Sequence, residues 1–368
     1  MMIPVVKVAM PPKDQLLGQL EEVLYSGMIA EGEKVYEFEK KFQKKFKLQN
    51  CLALNSGTAC LHAALISSGI KPGDEVISTP MTAEPTNTSI LYTGANVVWS
   101  DVDPETGNMC PDSVEKLISK KTKAILCVHY AGYPADIVKL REIADKYNIV
   151  LIEDCAHALG AEINQSPIGS FGDFSIFSFQ AIKHMTTIEG GIISIKDDSR
   201  LEEIKEFRWF GMQKNISRQE VDIKRVGYKY NMNNVTATIG LIQLDNIDTL
   251  ISKHISNSNY FNSKFLKHNI PHASILPGSS PSYWLYSLLS EKHQQIMDAL
   301  KKNNIFSSKL HKPNCDHTIF KSSRRELKGL DKFYERLLHI PCGWWVNKQQ
   351  RKLIAETVIE AHNNARND

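Results

Sequence analysis

The sequence predicts an α/β protein: a large domain with a mostly parallel mixed sheet flanked by helices, then a smaller C-terminal α+β domain. Short apolar runs typical of buried strands alternate with segments whose apolar residues recur at helical spacing. Such alternation is typical of parallel strands joined by helices. From about residue 245 long helical segments dominate. We therefore expect a large domain over residues 1–245 and a small one over 246–368, with packing of the N-terminal segment on the small domain left open.

The predicted strands follow one another along the chain, each bounded by turn residues. They are the runs GDEVISTP, ANVVWSDV, KAILCVHY, IVLIEDC and GGIISIKD, with further strands at 51–54 and 171–179. Between the third and fourth runs, residues 135–148 have the apolar spacing of an amphipathic helix. Ligands of such sheets collect beyond the carboxyl ends of the strands, so we expect the chemistry there.

Composition favours an ordinary globular protein, with 42% hydrophobic and 23% charged residues among 368. The net charge of +3 is too small to predict nucleic acid or a membrane as partner. The seven cysteines stand singly and no cysteine or acid cluster completes a metal site, so we expect reduced thiols, a cytoplasmic protein and no metal. No apolar run is long enough for a signal peptide or a membrane span.

Two residues at predicted strand ends suggest a cofactor. Lys183 lies in FSFQAIKHMTTIEGG, just after the strand at 171–179, and Asp154 ends the strand of IVLIEDC. A lysine of lowered pKa can form a Schiff base, and a buried acid can keep the ring nitrogen of pyridoxal phosphate protonated. Neighbouring strand residues face opposite sides, so the pattern alone leaves Glu153 as a rival acid.

A third element fits the phosphate of the same cofactor. In NSGTACLHAAL a strand ends and a helix begins, with Gly57 and Thr58 at the turn. Glycine lets the backbone approach closely, and the N–H groups at a helix start bind anions. A plain strand-to-helix turn is the alternative. Together, the three elements predict a site for pyridoxal 5'-phosphate.

These motifs resemble the DegT/StrS family of sugar aminotransferases, fold-type I pyridoxal phosphate enzymes that act on keto sugars linked to nucleotides. The likeness covers nearly the whole chain, from SGMIAEGEKVYEFEKKF through the motifs above and GYKYNMNNVTATIGLIQL to SYWLY and IPCGWW. It implies that Lys183 is the Schiff-base lysine and that Asp154, rather than Glu153, is the partner of the pyridine nitrogen.

The same resemblance assigns the remaining cofactor contacts. It implies that Gly57, Thr58 and Ser178 bind the phosphate and that His157 lies close to the ring hydroxyl. Asn231 matches an asparagine that enters the phosphate site of the neighbouring subunit, which implies a homodimer with shared active sites. Without the resemblance, His157 is equally a histidine at a helix start, and the segment around Asn231 is equally a polar turn.

The chain departs from the common family pattern near the expected substrate pocket. Thr82-Ala83 stands where many members carry an aromatic residue that stacks on the cofactor ring. Gln180 replaces a frequent histidine or tyrosine, and Met28 a common tryptophan. Related dehydratases carry histidine in place of the lysine, whereas here His184 only follows Lys183.

Several further residues are candidates for either packing or binding. Packing in the core or an interface is the expectation for four tryptophans: Trp209, Trp284, Trp344 and Trp345. His311, Asn314 and His317 are equally residues of a sugar pocket or of a surface loop.

The resemblance implies transfer of an amino group from L-glutamate to a nucleotide-diphosphate 4-keto-6-deoxy sugar, giving a 4-amino-4,6-dideoxy sugar. Amination at C3 of a 3-keto nucleotide sugar stays open, as does a pyridoxal phosphate-dependent sugar dehydratase or deoxygenase on the same scaffold. Two further alternatives are a non-catalytic regulatory module and transamination of a free cyclitol or similar ketone.

Overall fold

A computed structural model of the protein describes residues 2–214 and 216–364. Its helices are α1 (Lys13–Tyr25), α2 (Glu33–Lys45), α3 (Gly57–Ser67), α4 (Glu84–Leu91), α5 (Pro111–Leu117), α6 (Ile137–Tyr147), α7 (Leu201–Phe207), α8 (Asn234–Lys267), α9 (His293–Lys302), α10 (Lys328–Arg336) and α11 (Lys348–Asn364). Its strands are β1 (Leu52–Leu54), β2 (Glu75–Ser78), β3 (Asn96–Trp99), β4 (Thr122–Val128), β5 (Val150–Asp154), β6 (Glu162–Ile163), β7 (Ser166–Pro167), β8 (Phe174–Ser178), β9 (Gly191–Ile195), β10 (Ser279–Ser280), β11 (Tyr286–Leu289) and β12 (Leu337–Ile340).

The main sheet has seven strands in the order β1-β9-β8-β5-β4-β2-β3. Within this sheet β9 alone runs against its neighbours, pairing antiparallel with β1 and β8, while the other pairs are parallel. The runs predicted as strands all lie in this sheet, and the predicted helix at 135–148 is α6. The mostly parallel mixed sheet is therefore confirmed.

The core lies on both faces of the sheet. Neighbouring side chains of β5 pack into two different buried clusters, Ile152 into one and Leu151 into the other. Leu54 and Ala53 of β1 divide in the same way. Strands buried on both sides read as continuous apolar runs, which is why the sequence identified them.

The C-terminal part combines the β11–β12 pair with helices α9, α10 and α11. The predicted change of domain at residue 245 falls inside α8, which is continuous, so the division into two domains stays a prediction. The N-terminal segment contacts the C-terminal part: Ile3 bridges to Ile305, and the Trp345 indole donates to the Pro4 carbonyl at 2.9 Å. Within the described residues, no helix combines the length and apolarity needed to cross a bilayer.

Candidate active site

The predicted site residues gather at one edge of the main sheet. β1, β5 and β8 run in the same direction, so their carboxyl ends meet at that edge. Gly57 follows β1 at the start of α3, Asp154 ends β5 and Ser178 ends β8. Lys183 lies on the turn after β8, where its N–H donates to the Gln180 carbonyl at 3.0 Å. The edge thus brings together the three elements found separately in the sequence.

The start of α3 forms a small cradle beside β8. Ser56 caps the helix by accepting the Ala59 N–H at 3.1 Å, while the earlier N–H groups of the first turn have no intrahelical acceptor. A Cβ on Gly57 would lie 3.0 Å from the Ser178 Cβ and 3.2 Å from its Oγ, and one on Gly191 would lie 2.8 Å from the Gly57 N. The backbone and the Ser178 hydroxyl therefore approach closely where a phosphate is expected.

Lys183 is half-buried, and its ammonium lies over the ring of Trp284, 4.2 Å from the ring centroid. Burial lowers the pKa of Lys183 to about 8, and the charge of Asp154 offsets part of that effect. A neutral amine is therefore accessible near neutral pH, as a nucleophilic lysine requires.

Asp154 is buried, and each of its oxygens accepts one hydrogen bond. Oδ1 accepts the Ala156 N–H at 3.0 Å, and Oδ2 accepts the Thr86 hydroxyl at 2.8 Å. Burial raises the pKa of Asp154, while these two donors and the charge of Lys183 act in the opposite direction. The carboxyl group is thus held on the same side of the sheet edge as the lysine.

The rival acid Glu153 faces away from Asp154 and binds backbone N–H groups of a neighbouring loop. Its carboxylate accepts the N–H groups of Gly169 at 3.0 Å and Phe171 at 2.8 Å. His129 Nδ1 accepts the Ala135 N–H at 3.0 Å, so its Nε2 carries a proton and donates to Glu153 at 3.1 Å. His129, Glu153 and Cys155 have the geometry of a metal-binding group, but the histidine and the carboxylate are occupied by these bonds.

His157 is buried and packed between rings. It stacks on Trp284 with centroids 4.1 Å apart, and the nearly parallel ring of His311 lies at 5.8 Å. Burial and the charge of Lys183 hold the pKa of His157 well below its ordinary value, so the imidazole is neutral. Its Nδ1 is buried and has no hydrogen-bond partner among residues 2–214 and 216–364.

Asn231 lies beside the cradle of its own chain. It forms a bridge with Leu54, and the preceding residue Tyr230 accepts the Asn55 N–H at 2.6 Å. The Asn231 Oδ1 is buried and unpartnered within the described part of the chain. The contact of Asn231 with a second subunit stays a prediction.

The three polar residues of the C-terminal segment have different surroundings. His311 is half-buried next to His157, and burial and Lys183 lower its pKa to about 4. His317 lies 3.6 Å from Glu84. Asn314 is fully buried and bonds to the Thr82 carbonyl, so it supports the site without lining a pocket.

Sequence reasoning missed Trp284 and Thr86. Trp284 is buried, as expected for a packing residue, but it also contacts Lys183 and His157 and donates to the Ile182 carbonyl at 2.9 Å. No local pattern pointed to Thr86, because its partner Asp154 lies 68 residues away in the sequence.

These residues fit pyridoxal phosphate. The cradle of Gly57 and Ser178 offers donors for a phosphate, Lys183 offers an amine and Asp154 a buried carboxylate. The unpartnered Nδ1 of His157 is a further polar group without a protein partner in the described structure. The donor set therefore suits the phosphate, aldehyde and ring nitrogen of this cofactor.

Comparisons with known proteins agree with a site for pyridoxal phosphate. The profile of the DegT/DnrJ/EryC1/StrS aminotransferase family matches residues 12–359. The GDP-perosamine synthase of Escherichia coli O157:H7 is 34% identical over 339 residues, covering 90% of this chain and 91% of that protein. The sugar aminotransferase CalS13 from Micromonospora echinospora superposes with a TM-score of 0.93 at 33% identity, covering 98% of this chain and 100% of that one.

A further solved relative bears on the cofactor. The sugar aminotransferase homologue Spr1654 from Streptococcus pneumoniae, 28% identical with a TM-score of 0.91, has been solved in PLP and PMP forms; the PLP form covers 99% of this chain and 99% of that one. The fold-type I architecture and the use of pyridoxal phosphate are thus confirmed. This chain belongs to the DegT/DnrJ/EryC1/StrS aminotransferase family of pyridoxal phosphate-dependent transaminases.

Proposed function

We propose that the protein transfers an amino group from L-glutamate to C4 of a nucleotide-diphosphate 4-keto-6-deoxy sugar. The products are 2-oxoglutarate and a nucleotide-linked 4-amino-4,6-dideoxy sugar. The observation that carries the proposal is the pairing of Lys183, with its pKa of about 8, and the buried Asp154 at one sheet edge. The GDP-perosamine synthase relative supports the choice of C4 and of a nucleotide-linked substrate.

When bound, pyridoxal phosphate supplies a covalent attachment point for the amino group and an electron sink for the adjacent carbon. In this proposal Gly57, Thr58 and Ser178 bind its phosphate. His157 orients the ring through the ring hydroxyl, and Asp154 keeps the proton on the ring nitrogen. The chain thus fixes the cofactor at its phosphate and at two ring positions.

Lys183 is the proposed proton carrier. Its Nζ, neutral in a large fraction of molecules near pH 8, would accept the proton from Cα of the amino donor and would pass it to the cofactor carbon that holds the amino group. Trp284 lies beneath the amine and limits where Nζ moves. In the second half of the reaction the same nitrogen moves the proton in the reverse sense to the sugar carbon.

His184 supports aminotransfer over dehydration. Its Nε2 lies 3.1 Å from the Ser282 carbonyl, and burial lowers its pKa well below the ordinary value. The His184 ring is therefore buried and held by Ser282, and it does not take the place of Lys183. A histidine at the position of the lysine is what the resemblance associates with dehydratases.

A homodimer is part of the proposal. Large apolar side chains are exposed in two segments of the chain: Leu24, Tyr25, Met28, Ile29 in the first and Phe210, Ile216, Ile223, Val226, Tyr228 in the second. The two segments lie close together, because the Lys214 ammonium, between Phe210 and Ile216, lies 2.8 Å from the Glu31 carboxylate, two residues after Ile29. Exposed apolar surface of this kind marks protein interfaces.

Activity and product mass test the proposal. Purified protein is incubated with L-glutamate and dTDP-, UDP- and GDP-linked 4-keto and 3-keto sugars, and products are read by mass spectrometry. We expect 2-oxoglutarate with glutamate alone and a 4-amino sugar with one 4-keto substrate. A product lacking a hydroxyl and carrying no nitrogen would establish the dehydratase instead.

The lysine assignment has its own test. Lys183→Ala should abolish turnover, and borohydride treatment of the loaded enzyme should attach the cofactor mass to the peptide of residue 183 only in the wild type. Lys196→Ala, at an exposed lysine after β9, is the matched control and should retain full activity. Retention of most activity by Lys183→Ala would overturn the proposal.

A further inference from the structure

We propose that Thr86 is a positioning residue that holds the Asp154 carboxylate in place, and that Thr82 orients the Thr86 hydroxyl. The inference rests on the proposed role of Asp154. The Thr86 Oγ1 lies 2.8 Å from Asp154 Oδ2 and 2.9 Å from Thr82 Oγ1, and all three side chains are buried. The cofactor acid thus depends on two hydroxyls from α4 and the loop before it.

The direction of this chain of hydrogen bonds follows from chemistry. An ionised carboxylate only accepts, so the Thr86 hydroxyl donates its single proton to Asp154. Its oxygen is then left to accept the proton of Thr82. A donor that is itself hydrogen-bonded is a stronger donor, and a hydrogen bond to the charged form of an acid favours ionisation.

The loop that carries Thr82 is fixed from the C-terminal part of the chain. Asn314 Nδ2 donates to the Thr82 carbonyl at 2.8 Å, and Asn314 Oδ1 accepts from Asn87 Nδ2 at 2.8 Å. Asn87 Oδ1 in turn accepts the Ser78 hydroxyl at 2.6 Å. Both amides are fully buried, so leaving either unpaired would be costly and the loop has one favoured arrangement.

Other titratable groups also face Asp154. The carboxylate interacts with Lys183 and His129 and with the buried thiols of Cys60, Cys127 and Cys155. Because burial raises the folded-state pKa of Asp154, ionisation of this group opposes folding as pH rises, and Thr86 limits that loss. Removing Thr86 should therefore destabilise the ionised protein and spare the protonated one.

The test compares thermal midpoints of the cofactor-free, full-length protein from about pH 8 down to about pH 4.5. Thr86→Val should lower the midpoint at the alkaline end, with the deficit shrinking on acidification, while Thr86→Ser should match the wild type throughout. Thr88→Val is the matched control, because the Thr88 hydroxyl, two residues along the same helix, donates to the Glu84 carbonyl and not to Asp154. Its effect should not vary with pH.

Asp154→Asn completes a double-mutant cycle. In that background Thr86→Val should lose its pH-dependent penalty, since the charged acceptor is gone. A penalty that is equal at both ends of the pH range, or that persists with Asp154→Asn, would overturn the inference. Thr82→Val should give a smaller effect of the same sign, which keeps the inference testable if Thr86→Val fails to fold.

The loaded protein gives a second measurement. Thr86→Val should weaken the affinity for pyridoxal phosphate about tenfold, whereas Thr88→Val should leave it unchanged. Equal affinities for Thr86→Val and the wild type would count against the inference. The stability cycle without cofactor does not depend on turnover, so failure of the proposed aminotransfer would be recognised separately from failure of this inference.

Discussion

Lys183 obtains an unusual acidity from its surroundings. An ordinary lysine has a pKa of 10.5, and burial lowers that of Lys183 to about 8 even though Asp154 favours the ammonium. The Trp284 ring at 4.2 Å contributes an apolar wall that still tolerates a cation. The residue therefore exchanges between the charged and the neutral form close to physiological pH.

This acidity predicts the pH dependence of cofactor uptake. Only the neutral amine attacks an aldehyde, so the rate of pyridoxal phosphate incorporation into cofactor-free protein should rise with pH and level off above a midpoint of about 8. Asp154→Asn should move the midpoint to lower pH, because the carboxylate raises the pKa of the lysine. Stopped-flow absorbance measures the rate, and a midpoint near 10.5 would contradict the assignment.

At the residue scale, local patterns identified part of the site. Lys183, Asp154 and Gly57 each stand next to an apolar run, so their positions at strand ends were predictable. Trp284 was not, because its contact with Ile182 joins residues 102 apart and no local pattern encodes such a pairing. The bond from Thr86 to Asp154 spans 68 residues and was missed for the same reason.

At the element scale, the start of α3 and the end of β8 fit each other with no spare volume. The predicted apolar runs located both elements, since strands buried on two faces are continuous in apolar character. The antiparallel direction of β9 was not predictable from its composition, and neither was the close approach of Gly191 to the backbone before α3. The strand direction and this close approach both depend on the path of the loop between β8 and β9, which the composition of β9 does not encode.

The tight fit makes Gly57 sensitive to substitution. Gly57→Ala should displace Ser178, whose Cβ and Oγ lie within 3.2 Å of the added methyl group, and should weaken cofactor affinity by roughly tenfold or more. Gly18→Ala in α1 is the control and should leave affinity unchanged, since beyond its chain neighbours and its own helix backbone no atom of the described residues lies within 4 Å of the added Cβ. Fluorescence titration with pyridoxal phosphate measures both, and equal affinities would argue against the phosphate cradle.

At the scale of the whole molecule, a mixing experiment tests which chain supplies Asn231 to a given site. Lys183→Ala and Asn231→Ala should each be nearly inactive as pure proteins. If Asn231 serves the partner's site, unfolding and refolding an equal mixture should restore about a quarter of wild-type activity, because half the dimers are hybrids with one intact site. Mixed chains that stay inactive would place Asn231 in the site of its own chain.

The helix α8 has a consequence for exchanging parts between relatives. It runs unbroken for 34 residues, roughly 50 Å, from Asn234 to Lys267. Midway along it, His254 Nδ1 lies 2.8 Å from the Tyr283 carbonyl, directly beside Trp284. A chimaera joined at residue 245 would combine two halves of this helix from different relatives and would disturb its packing. A crossover beyond Lys267 would keep the whole helix from one parent.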